Sequence, residues 1–167
     1  MNTSMMKKIN IDECVDQNEL RFMQSMVMLV LLVAFVFNNK YVVLVQVLIF
    51  FMTILSPGFN PFVAVYRLAR KVELIHPDWR KDNMAPHRFA SMIGFVVSTM
   101  SYYFLYHNHV MVGWGLSFLI VGFGILALSG WCAGCYSYYM LNKLGVKGFF
   151  KHQPVGDTFP GARPPKN

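Results

Sequence analysis

Four long stretches of this chain contain no charged residue, and they constrain its fold more than any other feature. The stretches cover residues 23–37, 41–55, 89–106 and 110–141. Soluble helices alternate polar and apolar faces, whereas a membrane helix stays apolar all round. Of the 167 residues, 55% are hydrophobic and 14% are charged, against about 45–50% and about 25% in soluble domains. The chain is therefore predicted to be an integral membrane protein.

The stretches predict an all-α fold, an integral membrane four-helix bundle built from two helical hairpins. Residues 38–40 separate the first two stretches, and residues 107–109 separate the last two. Each turn has three polar residues, which is a normal connection between antiparallel helices. One continuous helix through the first turn would place Lys40 near the membrane centre, where inserting a lysine costs about 2.5–3.5 kcal/mol of free energy. The predicted membrane domain is residues 16–142, with spans at about 20–37, 41–57, 89–106 and 110–130, the last extending to 142.

Positive charge is distributed almost entirely to one side of this arrangement. Of 15 Lys and Arg residues, only Lys40 falls in a hairpin turn, so both termini and the central loop are expected in the cytoplasm. The expected parts outside the membrane domain are a cytoplasmic leader at 1–15 and a basic, Pro-containing, largely disordered cytoplasmic tail at 143–167. No cleavable signal peptide is expected, because Asp12, Glu13, Asp16 and Glu19 precede the first apolar stretch and no small-residue cleavage site follows it.

The central loop contains a basic amphipathic segment, residues 61–75. In a helix, Phe62, Tyr66 and Ala69 share one face while Arg67 and Arg70 lie opposite. This pattern predicts an interfacial helix attracted to anionic lipid headgroups. The lipid bilayer thus accounts for the positive charge, and no nucleic-acid partner is expected.

The three cysteines, Cys14, Cys132 and Cys135, all fall at the predicted cytoplasmic end. Cytosolic thiol pools discourage permanent disulfides, so a Cys-x-x-Cys there indicates catalysis or metal binding. Residues three apart on a helix share a face, so Cys132 and Cys135 can cycle between dithiol and disulfide. A new helix starting near Cys132 would favour the thiolate, whereas an unbroken helix to Leu141 would disfavour it. The sequence leaves both open.

Two other interpretations of the cysteines stay open. Gly130 and Gly134 form a Gly-x-x-x-Gly step at which small residues allow close helix packing. A zinc site would combine Cys132 and Cys135 with two of three further candidate ligands. Only the two cysteines have a spacing that is recognisable as half of a zinc site. The candidates for those further ligands are Cys14, His76 and His87. No cofactor is predicted, although zinc, or a quinone against the nearby aromatic residues, remains possible.

Three short segments resemble the integral membrane family catalogued as domain of unknown function 4395. The segments are Asp16-x-Asn18-x-x-Arg21, Pro86-x-Arg88-Phe89-Ala90 and Gly130-x-Cys132-x-Gly134-Cys135. The resemblance covers about residues 14–142. It implies a four-span bundle, a bacterial inner-membrane location and the paired cysteines as the shared chemical feature. Proteins similar to this one tend to occur among sulfur and thiol metabolism functions.

The preferred interpretation is a membrane-bound dithiol. Cys132 or Cys135 would be the attacking thiolate, with Cys14 as a second shuttle thiol, exchanging electrons or sulfane sulfur with a cytoplasmic thioredoxin-like or rhodanese-like protein. The spans contain no acid, which argues against proton-coupled transport. The alternative is a non-enzymatic membrane scaffold or small-solute conduit whose cysteines pack or bind zinc. Enzymatic activity stays undecided, and the glycine steps permit a homo-oligomer.

Overall fold

Six helices and one two-stranded sheet make up the part of the chain that the computed structural model describes. That part is residues 13–56, 58, 60–145 and 159–164, with residues 13 and 14 described by their backbone alone. The elements are β1 (Glu13–Asp16), α1 (Gln17–Val36), α2 (Lys40–Leu55), α3 (Pro61–Lys71), β2 (Trp79–Asp82), α4 (Met84–Tyr106), α5 (Val110–Ser129) and α6 (Ala133–Lys143). The predicted helical fold is confirmed in that the described part is mostly helical, and the short sheet of β1 and β2 is an addition that the sequence did not predict.

Two tight turns join α1 to α2 and α4 to α5. Asn38 and Asn108 adopt left-handed backbone conformations in these turns, with φ of 46° and 61°, which asparagine tolerates better than most residues. The side chain of Asn39 then accepts a hydrogen bond from the backbone N–H of Tyr41 at 2.9 Å. This cap satisfies one of the free N–H groups at the start of α2, so the polar residues between the apolar stretches both reverse the chain and start the next helix.

The four long helices pack in a ring of neighbours. In addition to the two hairpin contacts, α2 packs against α4 and α1 packs against α5. Near the turns, a buried cluster joins Ala34, Val43, Leu105 and Trp114, one residue from each of the four helices. This cluster fixes the hairpins against each other at the end of the molecule opposite the cysteines.

The outer surface of these helices is apolar. Among the described residues, α1, α4 and α5 are long and apolar enough to cross a membrane, while α2 is a shorter apolar helix of 16 residues. Met111 is 91% exposed and Val36 is 75% exposed. Apolar surface of this extent is unfavourable in water and matches a hydrocarbon environment. The chain is therefore a membrane protein.

Helix α3 and the sheet organise the segment between the hairpins. Tyr66 of α3 is fully buried and its hydroxyl donates a 2.8 Å hydrogen bond to Asp16 at the start of α1. Burial, followed by this contact with Asp16, raises the pKa of the Tyr66 phenol well above its usual range. Strands β1 and β2 pair antiparallel, with Asp16 opposite Trp79. The amphipathic helix expected in this loop is present, with one side of α3 attached to α1.

The last apolar stretch is not one continuous helix. Helix α5 ends at Ser129, Gly130 takes a φ of 109°, and α6 begins at Ala133. Glycine enters this left-handed conformation without the steric cost that a Cβ would impose. The last stretch therefore forms two helices, and of the two interpretations of Cys132, the helix start applies.

Candidate functional site

Cys132 is the residue that caps the start of α6. Its sulfur accepts a hydrogen bond from the backbone N–H of Cys135 at 3.2 Å. At this position the free N–H groups of the first turn and the positive end of the helix dipole act on the sulfur. Both effects favour the thiolate, which is the nucleophilic form of cysteine.

The two sulfurs of the Cys-x-x-Cys are joined as a disulfide but differ in accessibility. The Cα atoms of Cys132 and Cys135 lie 5.2 Å apart. Cys135 is only 4% exposed, whereas Cys132 is half-buried. Cys132 is therefore the sulfur of the pair that a molecule from outside can reach more easily.

A histidine from another helix faces the buried sulfur. The Nδ1 atom of His87, in the first turns of α4, lies 3.6 Å from the sulfur of Cys135. The Nε2 atom of His87 lies 3.1 Å from the Asp82 carboxylate. Since an ionised carboxylate only accepts hydrogen bonds, Nε2 of His87 donates to Asp82, and Nδ1 is the ring nitrogen that faces Cys135.

Asp82 is fixed in turn by groups from three parts of the chain. It ends β2, is 8% exposed, and accepts a 2.8 Å hydrogen bond from the side chain of Gln17 in α1. Burial by itself would raise the pKa of the Asp82 carboxyl. The hydrogen bond and charge of His87, with the Asn83 N–H and Gln17, outweigh burial and hold that pKa below its usual range. The result is a Gln17, Asp82, His87 chain of contacts that ends at Cys135.

Residues 159–164 lie against the cysteine segment, contrary to the disorder expected of the tail. The backbone N–H of Cys132 donates to the carbonyl of Gly161 at 2.8 Å, and that of Arg163 donates to the carbonyl of Gly130 at 2.9 Å. Arg80 of β2 donates to the carbonyl of Pro164 at 2.6 Å. These contacts order the turn before α6. Residues 146–158 of the expected tail lie outside the described part of the chain.

A small polar cavity next to the disulfide has two arginines and one carboxylate in its walls. The cavity has a volume of about 40 Å³, and its walls include Arg21, Arg163, Asp82, Cys132 and Cys135. Burial, and then the neighbouring charges of Arg21 and Arg80, lower the pKa of Arg163. The mutual repulsion of these cations makes a negative charge at Cys132 or on a small ligand favourable here.

The glycine inside the motif permits α6 to approach α4. A Cβ built on Gly134 would lie 2.5 Å from the Cβ of Ala90, which is closer than two non-bonded carbon atoms can approach. Gly130, in contrast, has open space around it and serves as the helix break. The Gly-x-x-x-Gly step is thus not one packing surface.

Other motif residues support the surroundings of the site. Asp16 caps α1 by accepting from the backbone N–H of Asn18 at 3.0 Å, and it also accepts from the N–H of Asp78 at 3.0 Å. The side chain of Asn18 donates to the carbonyl of His76 at 2.8 Å. Arg88 lies on α4, exposed, in the turn that carries His87. These residues position the chain around the site without touching the sulfurs in any contact given by the described residues.

The candidate metal ligands are only partly brought together. The possible ligand atoms of His87, Cys132 and Cys135 all lie within 4.8 Å of one another, and in the described residues this group does not include His76. The backbone of Cys14 pairs with Lys81 in the sheet, and its side chain lies outside the described residues. Three ligands in the reduced state can hold a metal ion, but a structural zinc site normally has four.

Three contributors to the site were missed by reasoning from the sequence: Asp82, Gln17 and Arg163. Asp82 lies five residues before His87, outside any recognisable motif. The available signal was the polar pair Asp82 and Asn83 before an apolar helix, which predicts a helix start and says nothing about a histidine partner.

Comparison with known proteins gives one match. The family model described as Domain of unknown function (DUF4395) matches residues 15–143, which includes every side chain in the chain of contacts from Gln17 to Cys135. No curated protein and no solved structure matches the chain.

Proposed function

The chain belongs to the family described as Domain of unknown function (DUF4395), and on that premise we propose that it is a membrane-bound thiol–disulfide exchange protein. Cys132 is the attacking thiolate and Cys135 the resolving thiol. The observation that carries the proposal is the placement of the pair, with Cys132 capping α6 while the sulfur of Cys135 faces His87.

Exchange proceeds in two balanced steps. The Cys132 thiolate attacks a substrate disulfide, so that one substrate thiolate leaves and a mixed disulfide forms on Cys132. Cys135 then transfers its proton to Nδ1 of His87 and attacks the Cys132 sulfur. The second substrate thiol leaves with a proton, and the Cys132–Cys135 disulfide remains. The reverse sequence oxidises a substrate dithiol.

The same arrangement supports transfer of a sulfane sulfur. The Cys132 thiolate can attack the outer sulfur of a persulfide donor, which releases the donor thiolate and leaves a persulfide on Cys132. Attack by Cys135 on the Cys132 sulfur would then release hydrosulfide and form the disulfide. The Arg21 and Arg163 charges at the polar cavity favour such anionic species.

We place the dithiol at the cytoplasmic end of a four-span bundle. Helix α2, with 16 residues, spans about 24 Å at 1.5 Å per residue, and local thinning of the bilayer tolerates that length. All Lys and Arg residues except Lys40 then lie on the cytoplasmic side with both termini. In this topology Arg67 and Arg70 of α3 bind lipid headgroups, and the partner of the dithiol is a cytoplasmic thioredoxin-like or rhodanese-like protein.

The test is to trap cysteines in cells with a thiol-reactive mass tag before lysis. In Cys135→Ser, the mixed disulfide on Cys132 cannot be resolved, so an adduct with the partner should accumulate. Cys132→Ser should form no adduct, and Cys14→Ser tests separately whether the second shuttle thiol expected from the sequence takes part. If purified Cys132→Ser exchanges disulfides as fast as the wild type, the proposal is wrong.

A second candidate function is a structural zinc site, favoured by the proximity of His87, Cys132 and Cys135. It predicts one zinc ion per chain after purification in reducing buffer without chelators. It also predicts that His87→Ala lowers the zinc content. Metal-free protein with free thiols on Cys132 and Cys135 would contradict the zinc interpretation while leaving the exchange proposal intact.

A further inference from the structure

A large apolar cavity lies beside Cys132 between the helices. Its volume is about 260 Å³, and apolar side chains such as Val27, Val97 and Phe123 form the walls away from the cysteine. Met84 also lines it, and Val97 lies about 20 Å further along α4 at 1.5 Å per residue. The cavity therefore extends from the helix starts well into the apolar part of the fold.

Polar side chains are concentrated at the end of the cavity that holds the cysteine. His87, Arg88 and Ser137 line the cavity together with Cys132, and the Arg88 guanidinium can donate hydrogen bonds to a ligand there. A ligand with a small polar head and an apolar tail matches this distribution. A strongly charged soluble carrier does not, because burial of its charges between apolar helices is costly.

Cys132 connects this cavity to the polar one. Cys132 and His87 line both cavities, whereas Cys135 lines the polar cavity alone. Cys132 thus borders a polar cavity lined by Arg21 and Arg163 and an apolar cavity within the helices. A dithiol in that position can receive electrons on one side and deliver them on the other.

We propose that the apolar cavity binds a lipid-soluble quinone, which accepts the electrons of the Cys132–Cys135 dithiol. This inference rests on the proposed thiol–disulfide exchange and names its electron acceptor. A quinone accepts two electrons and two protons, the number that a dithiol releases, and its carbonyl oxygens accept hydrogen bonds of the kind that Arg88 donates.

The redox step balances without a further reactant. The two S–H bonds of Cys132 and Cys135 break, one S–S bond forms, and the dithiol is oxidised by two electrons. The quinone takes up both electrons and both protons and leaves as the quinol. The disulfide then oxidises the thiols of a partner from the polar side, which returns Cys132 and Cys135 to the dithiol.

The experiment follows two reactions of the purified, reduced full chain in lipid nanodiscs without dioxygen. A decyl-substituted benzoquinone tests the inference, with its loss of absorbance and the appearance of the Cys132–Cys135 disulfide as readouts. A water-soluble aromatic disulfide tests the proposed exchange separately. The wild type should reduce both, with one quinone consumed per disulfide formed.

Matched variants test the location of the quinone. Val97→Phe fills the cavity, whereas Val96→Phe adds the same ring on the outer surface, where Val96 is 54% exposed. Val27→Phe fills the cavity from α1 in case the α4 variant does not fold. Both filling variants should slow quinone reduction by roughly tenfold or more, as expected when a reactant is displaced from its reacting geometry. Val96→Phe and all rates with the aromatic disulfide should stay at the wild-type level.

Each contrary outcome has a distinct meaning. If the wild type reduces the aromatic disulfide but not the quinone, the inference is overturned and the exchange proposal stands. The inference is also overturned if neither filling variant slows quinone reduction, or if Val96→Phe slows it as much as the filling variants do. The quinone would then react elsewhere, and the cavity would hold a lipid chain. If the wild type reduces neither compound, the proposed exchange itself has failed.

Discussion

The Nδ1 atom of His87 lies 3.6 Å from the sulfur of Cys135, although the two residues belong to different helices. The ring is held in this orientation from its other side by Asp82 at 3.1 Å. Cys135 is the buried member of the pair, so it has little access to water as a proton acceptor. In the exchange proposed above, His87 would remove the proton that Cys135 must lose before it can attack Cys132.

Replacement of His87 should slow the second step of exchange and spare the first. In His87→Gln, the Cys132 thiolate still attacks, but resolution by Cys135 lacks its proton acceptor and should slow by about a hundredfold. Rapid acid quenching and mass analysis would detect a long-lived mixed disulfide on Cys132. His107→Gln, in the turn at the far end of the helices, is the control. Equal slowing of both steps in His87→Gln would show that the histidine does not act on Cys135.

Asp82 should couple stability to pH in the acid range. The folded state holds the pKa of this carboxyl below its ordinary value. Its stabilising contribution is therefore complete above the unfolded-state pKa, about 3.9, and is lost as the pH falls through the lower, folded-state pKa. Asp82→Asn should cost about 1–3 kcal/mol at neutral pH, with the difference from the wild type shrinking towards about pH 3. Thermal unfolding in detergent measures this difference, and a constant offset at all pH values would contradict it.

The membrane character of the fold was predictable because it depends on long charge-free stretches and not on their contacts. Each polar turn lies where a stretch ends, since residues such as Asn38 and Lys40 are costly inside a membrane. The sheet was not predictable. Strands β1 and β2 have four residues each, and the register pairs Glu13 with Asp82. Segments so short and so charged do not show the alternation that indicates a strand.

The candidate site was predictable only where its residues are close in sequence. The Cys132 and Cys135 spacing is visible in the chain, but the helix start that distinguishes the two sulfurs depends on Gly130, which is compatible with a helix or a break. His87 was considered as a metal ligand, and its contact with Asp82 depends on how β2 leads into α4. The segment 159–164 was expected to be disordered because it is poor in apolar residues, but it is attached mainly by backbone hydrogen bonds, which composition does not reveal.

Gly134 should be intolerant of any side chain. In Gly134→Leu, the new atoms would collide with Ala90 and push α6 away from α4. Such overpacking costs about 1–3 kcal/mol and would also displace Cys135 from His87. Gly122→Leu is a matched control, because a Cβ at Gly122 meets no atom within 4 Å. Thermal unfolding and the rate of exchange should both decline for Gly134→Leu alone. Equal stability of the two variants would contradict the close packing of α4 and α6.

Arg163 should increase the reactivity of Cys132 through its charge. The arginine and the cysteine line the same small cavity, so the guanidinium favours the Cys132 thiolate over the neutral thiol. In the reduced Arg163→Ala variant, alkylation of Cys132 by iodoacetamide should be slower by about threefold to tenfold. A neutral reagent is needed because an anionic one would also respond to electrostatic attraction. Lys40→Ala removes a positive charge at the opposite end and should leave the rate unchanged.

High salt should reduce the effect of Arg163→Ala, since screening weakens the attraction that the guanidinium supplies. A deficit that does not change with salt would instead indicate that the segment 159–164 acts on Cys132 through its backbone contacts.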